Sequence, residues 1–249
     1  MPDTLRISTY NINWGKGPWK LTSPTTSIDA LRKTNADIVL LQETTPFWQE
    51  MLEKNFVKRY PYRYFRHHNN AGGLAVMAKF PCQTIEYIHP QIGWHPIWIF
   101  KSETPLGPIQ FANLHLTPPL VNESSMGFMF HALFTSPPIR LQEIYHVKQC
   151  LQPEIPTIIA GDFNEGDNGG AVNYLRNQNF IDALNATQFQ GYTWHWRIAI
   201  LCFRERLDRM FSSPSLKPVN SEVIYDGDSD HFPLLVDFIK TKNQGFTPY

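Results

Sequence analysis

Carboxylates, amides and imidazoles close a series of apolar runs along this chain. Asn11 and Asn13 stand in "STYNIN", Glu43 ends "IVLLQE", and His115 sits in "FANLHL". Asp162 and Asn164 end "TIIAGDFN", Asp208 lies in "RLDRMF", and Asp230 and His231 open "DHFPLL". In layered α/β chains, ligands bind at one edge of a sheet, where strand ends and short loops gather residues distant in sequence. Six segments ending on one kind of chemistry therefore predict one pocket. Oxygen and imidazole donors of this kind suit a hard cation such as Mg2+ or Mn2+, which takes one or two carboxylates plus substrate oxygens. A compact His/Cys set for zinc is missing. A hard cation with His and Asp beside it is equipment for activating water and for stabilising charge on a phosphoryl group, which points to hydrolysis of a phosphate ester.

The elements that must position these residues follow from spacing. "LRISTYNI" reads as a strand, "SIDALRKTN" as a helix behind Ser27 as its cap, and the continuous apolar run "ADIVLLQE" as a strand covered on both faces. "PFWQEMLEKNF" is a second helix, with Pro46 at its first position. "YPYRYF", "GGLAVMAKFP", "QTIEYI", "IWIFKSE" and "PIQFANLHL" predict a largely antiparallel succession of strands. "IRLQEIYHVKQCL" resumes helical spacing through Ile139, Ile144, Val147 and Leu151. "IPTIIAGDFN" is a buried strand in which Gly161 is read as the turn that aims Asp162 and Asn164 to one side. "AVNYLRNQNF" is a helix, and "RLDRMFSS" and "HFPLLVDFI" are strands. Residues 117 to 138 form a Pro-bracketed insertion around the apolar "MGFMFHALF", read as a lid, as core packing, or as a lipid contact through residues 120 to 136. The tail "KTKNQGFTPY" is expected at the periphery.

Composition narrows the class. With 249 residues, 42% of them hydrophobic and 18% charged, the chain is expected to fold as one domain over residues 1 to 249. Lys plus Arg equals Asp plus Glu at 22 each, so no global positive field gathers a polyanion. A polyanion must meet a local cluster, and Arg197, Arg204, Arg206 and Arg209 in "WRIAILCFRERLDR" are read as one. No leader and no spanning apolar stretch is read, so a soluble, cytoplasmic monomer is expected, with leaderless export left open. Cys82, Cys150 and Cys202 lack any metal or disulfide spacing and are read as free thiols.

In this order and at these separations, "TYNIN", "LQE", "LH", "GDFN", "LDRMF" and "SDHFP" resemble the signature of the endonuclease/exonuclease/phosphatase superfamily. That group includes deoxyribonuclease I, exonuclease III, apurinic endonucleases, neutral sphingomyelinases, inositol polyphosphate 5-phosphatases and tyrosyl-DNA phosphodiesterases. The resemblance runs from about residue 5 to 239. It implies an α/β fold, a deoxyribonuclease I-like four-layer sandwich of two central mixed β-sheets flanked by helices. It further implies Glu43 as the main Mg2+ ligand with Asn11 beside it, and Asp230 ligating or positioning the metal. His231 is implied as the catalytic histidine held by Asp208, with Asp162 and Asn164 on the attacking water and the phosphate. His115 is implied at a phosphoryl oxygen or the leaving group. Members differ over the formal base. Asn13 stands where several relatives carry an acidic residue, which counts against a second metal, and is assigned to substrate binding.

Other residues carry two readings. Arg140 either reaches the substrate phosphate or is a solvated helix-start residue. His67 and His68 are read as a hairpin tip, and Trp194 and Trp196 as a stacking wall or as core. The leading function is a Mg2+-dependent phosphodiesterase acting on DNA, RNA or a nucleotide-linked ester. The alternative is a sphingomyelinase-like lipid phosphodiesterase at a membrane surface. A catalytically silent binding module is the third, and the intact polar set argues against it.

Overall fold

The computed structural model describes residues 3–12, 24–69, 72–119, 135–198 and 201–241. Two mixed six-stranded sheets lie at its centre. The first contains β1 (Leu5–Asn11), β2 (Ile38–Thr44), β3 (Tyr62–Arg66), β4 (Gly73–Ala78), β13 (Leu216–Val223) and β14 (Leu234–Lys240), in the order β13-β14-β1-β2-β4-β3. The second contains β5 (Cys82–Ile88), β6 (Ile97–Thr104), β7 (Gly107–His115), β8 (Thr157–Asp162), β9 (Ile181–Asp182) and β12 (Asp208–Ser212), in the order β5-β6-β7-β8-β12-β9. Each has one parallel pair at its heart, β1 with β2 and β7 with β8. A separate antiparallel ribbon joins β10 (Trp194–Ile198) to β11 (Leu201–Glu205).

Strand alternation sorts the apolar residues into layers. Leu5, Ile7, Ile38 and Leu40 from the first sheet meet Phe100, Phe111, Ile158 and Ala160 from the second in the inter-sheet core. The opposite parity of β2, Val39 and Leu41, packs outward against Leu31 of helix α1 (Pro24–Thr34) and Trp48, Leu52 and Phe56 of α2 (Pro46–Phe56). On the far side, Ala112, Leu114 and Ile159 lie under Ile144 and Val147 of α3 (Ser136–Cys150) and Val172 and Leu175 of α4 (Gly170–Asn177). A short α5 (Ala183–Ala186) is capped by Asp182, whose side chain accepts from the Leu184 and Asn185 amides. The helix–sheet–sheet–helix sandwich is the architecture implied by the resemblance.

Three local readings need correction. The first described helix begins at Pro24, so Ser27 is not its cap. Ser27 is buried inside it and its Oγ bonds the Tyr10 hydroxyl and the Asp228 amide, tying the helix to the loop before β14. Gly161 is no turn either: it lies within β8, at φ +147°, where a Cβ would sit 1.8 Å from the Leu114 carbonyl oxygen. The glycine lets β8 pair closely with β7. Nor do Arg206 and Arg209 belong to a free cationic patch. Arg209 is fully buried and pairs with Asp167 and Asp182, and Arg206 also bonds Asp167. Arg204 stays exposed on the ribbon, over the Tyr192 ring. The side chain of Arg197, like residues 120–134 of the insertion and the tail from residue 242, lies outside the described residues. No helix among the described residues is long and apolar enough to cross a membrane.

Candidate active site

The inward face of each central strand ends on a polar residue at the same rim. In β1 the parity of Leu5 and Ile7 continues to Asn11, and in β8 that of Ile158 and Ala160 continues to Asp162. His115 closes β7 opposite Asp162, and Asp208 opens the antiparallel β12 opposite the same residue. Glu43 is the exception, since alternation alone would send it outward with Val39 and Leu41. The β2–β4 register shifts between Leu41 and Thr44, and Glu43 takes φ +56°. That backbone turns its carboxylate inward at a conformational cost of about 1–3 kcal/mol, the kind of strain that gathers at functional sites.

Asn11 joins the two sheets. Its Nδ2 donates to Glu43 Oε1 at 3.1 Å and to Asp162 Oδ2 at 3.0 Å. His231 Nδ1 lies 2.7 Å from Asp208 Oδ2, while its Nε2 lies 3.5 Å from Asp162 Oδ2. His115 Nε2 reaches the same Asp162 oxygen at 3.5 Å and Glu43 Oε1 at 3.9 Å. The Asn164 amide donates to Asp162 Oδ1 at 2.8 Å, and its side-chain Nδ2 donates to the Leu116 carbonyl. Asp230 Oδ2 accepts from the Trp194 indole at 2.9 Å, which fixes Trp194 as the root of the ribbon. Asn11, Glu43, His115, Asp162, Asn164, Asp208 and His231 are thus one connected group.

Of the two expected substrate contacts only Arg140 is among the described residues, and it lies elsewhere. Asn13 is outside the described residues. Arg140 is buried on α3, its Nε bonded to Glu165 at 2.9 Å and its Nη1 to the Thr117 carbonyl at 3.1 Å, so it braces the segments that follow β7 and β8. His67 bonds Gln49 at 2.8 Å, beyond the end of β3.

The electrostatics follow from burial of like charges. Burial lifts the Glu43 carboxyl to about 7, against the Asn11 bond that lowers it. Asp162 is lifted to about 6 by burial, with His231 opposing and Asp208 assisting. Burial opposes charge on His231 too, yet the carboxylates of Asp208 and Asp162 hold its pKa well above that of free histidine. His115 is driven the other way by burial, by His95 and by His231, and is neutral. Asp162, Asp208 and His231 bring ligand-type atoms within 4.8 Å of one another. The 2.7 Å pairing of His231 with Asp208 is a hydrogen bond, an arrangement that can hold a proton on the imidazole. The oxygen-rich pair of Glu43 and Asp162 shares one amide donor between a part-buried and a buried carboxylate, and that is a fit for a hard cation.

Several supporting residues escaped the sequence reading. Ser229 Oγ donates to the Asn11 carbonyl and accepts from the His231 amide, setting the height of the histidine loop. Thr193 Oγ1 accepts from the Asp208 amide. Gln42 and Asn113 bond at 2.7 Å beneath Glu43, filling the polar end of the inter-sheet core. His95, in the segment between β5 and β6, lies flat on His115 with ring centroids 4.0 Å apart. Only Ser229, in "SDHFP", and Gln42, in "LQE", stood within a quoted sequence block.

A two-sheet sandwich with this rim defines a hydrolase of phosphate esters with the deoxyribonuclease I-like fold. The chain belongs to the Endonuclease/Exonuclease/phosphatase family, whose model matches residues 8–231. Among solved structures it is similar to an endonuclease/exonuclease/phosphatase from Beutenbergia cavernae, at 17% identity and TM-score 0.73, over 95% of this chain and 72% of that one. It is also similar to TDP2 from C. elegans, at 18% identity and TM-score 0.71, over 95% and 75% of the two chains. D. rerio TDP2 complexed with a single-strand DNA product matches at 18% identity and TM-score 0.68, over 95% and 99%. A search of curated proteins finds no match.

Proposed function

We propose that this protein is a Mg2+-dependent phosphodiesterase acting on nucleic acid or a nucleotide-linked ester. The observation that carries the reading is the linkage of Glu43, Asn11 and Asp162 across the two sheets, with the His231–Asp208 pair alongside. Glu43, with Asn11 beside it, would hold Mg2+, and Asp230 would help position it. When bound, the ion supplies positive charge to a phosphoryl oxygen and a more acidic water.

The remaining chemistry belongs to the chain. Asp208 fixes the imidazole of His231 and keeps its proton, so Nε2–H donates to a phosphoryl oxygen as negative charge grows there. Asp162, held in place by the Asn11 side chain and the Asn164 amide, orients the attacking water. Neutral His115, next to both carboxylates, would contact the leaving group or a phosphoryl oxygen. Exposed Phe203 and Arg204 on the ribbon offer a base-stacking and phosphate-binding edge beside this group. The DNA-bound TDP2 neighbour supports a nucleic-acid substrate.

The test is a substrate panel with Mg2+: single-stranded DNA, duplex DNA, a 5′-tyrosyl oligonucleotide, bis-(p-nitrophenyl) phosphate and sphingomyelin vesicles. Cleavage of a nucleic-acid substrate that stops in excess EDTA and returns with Mg2+ or Mn2+ is expected. Turnover confined to sphingomyelin, or undiminished by EDTA, would refute it.

A further inference from the structure

We propose that His95 is a positioning residue for His115, holding the plane of that ring by face-to-face stacking where a hydrogen bond would ordinarily hold it. The proposal rests on the reading of His115 as part of the catalytic group. A histidine used in chemistry at one ring nitrogen is normally fixed by a bond at the other, which sets both ring plane and tautomer. His231 follows that rule through Asp208. His115 does not: its Nδ1 is buried without a hydrogen-bond partner among the described residues. The imidazole's terminal torsion is broad, so without such a bond the plane of this buried ring is free to follow its packing.

His95 removes that freedom. Its ring lies 4.0 Å from the His115 ring with only 5° between the planes. The fold confines His95 in turn, because a Cβ on Gly72 would lie 3.1 Å from His95 Nδ1 and 2.8 Å from the His68 ring. The bare backbone of Gly72 thus leaves room for the two histidines behind the stack. His95 Nδ1 is itself buried without a partner among the described residues, and proteins seldom keep two such nitrogens in stacked rings without a use for them. Stacked, the pair turns the opposite edge of His115 toward Asp162 and Glu43, with Nε2 at 3.5 Å and 3.9 Å. His95 is proposed to act on the reaction only through His115, on which it stacks.

The experiment compares His95→Leu, His95→Phe, His115→Ala and the His95→Leu/His115→Ala double variant on bis-(p-nitrophenyl) phosphate with Mg2+. Misplacement of a reacting group costs rate more than binding, so His95→Leu should lower kcat about tenfold and leave KM within about twofold. His95→Phe keeps a flat ring and should stay within about twofold of wild type. In the His115→Ala background, His95→Leu should cost less than about twofold, since nothing is left to position. Wild-type kcat in His95→Leu would overturn the proposal, as would a His95→Phe as slow as His95→Leu, or a full further loss in the double variant. The His115 ring-proton shifts in the metal-free protein give a readout without turnover. They should lose their ring-current displacement in His95→Leu and keep it in His95→Phe, and unchanged shifts in His95→Leu would overturn the stack. A wild type that hydrolyses no phosphodiester while those shifts move as expected overturns the hydrolase reading and supports the positioning.

Discussion

Replacing Glu43 by Gln should make the metal-free protein more stable, by an amount that grows with pH. Burial lifts the Glu43 carboxyl from 4.5 to about 7, and the distance between those values is worth about 3 kcal/mol. The side chain keeps 22% of its surface exposed, so water screens part of that, leaving about 1–2 kcal/mol. The direction follows from the raised value. The folded state favours the protonated carboxyl, so the relative stability it confers is complete below pH 4.5 and lost as pH rises through about 7. Gln carries no charge to penalise and still offers an oxygen to the Asn11 amide. Urea melts in EDTA from pH 4.5 to 8 should therefore show similar stability at the acid end and an advantage for Glu43→Gln at pH 8. Added Mg2+ should stabilise the wild type and leave the variant unmoved. A Glu43→Gln protein no more stable than wild type at pH 8 in EDTA would refute the reasoning, for the carboxylate would then bear no burial cost.

Two other substitutions probe neighbouring claims. Asp208→Asn removes the carboxylate that holds the His231 proton and should lower kcat by about 10²–10⁴-fold. The His231 ring titration, followed by NMR in the metal-free protein, should fall toward the ordinary histidine range; an unchanged titration would contradict the assignment. Gly161→Ala drives a methyl group to 1.8 Å from the Leu114 carbonyl in the parallel β7–β8 pair, so more than about 3 kcal/mol of stability should be lost in urea denaturation. A variant within about 1 kcal/mol of wild type would show that the strands part without cost.

Most of the central strands were legible because burial leaves a continuous or alternating apolar record, as in "ADIVLLQE" for β2 and "IPTIIAGD" for β8. The strands that were missed lack that record. The β11 side of the ribbon is exposed at every residue, and β13 is an edge strand with Pro218 and Asn220 at a register shift. The candidate site was legible wherever a polar residue ends an apolar run, since that is where inward parity meets the rim. Glu43 was marked by its place at the end of an apolar run, although parity points it the wrong way until its backbone inverts, and its role as metal ligand came from the family pattern. His95 left no mark because "GWHP" has no period, and a stacked ring is a property of two segments meeting. The arginines misled for the reverse reason: sequence shows that charges cluster but not that Asp167 and Asp182 consume them.

The amide of Asn11 grips a carboxylate on each side of the sandwich, one rooted in β2 and the other in β8. On the proposed mechanism, turnover is therefore a gauge of how well the two halves stay closed on each other. A slip between them that spared every strand and helix would extinguish hydrolysis while the circular dichroism spectrum stayed whole.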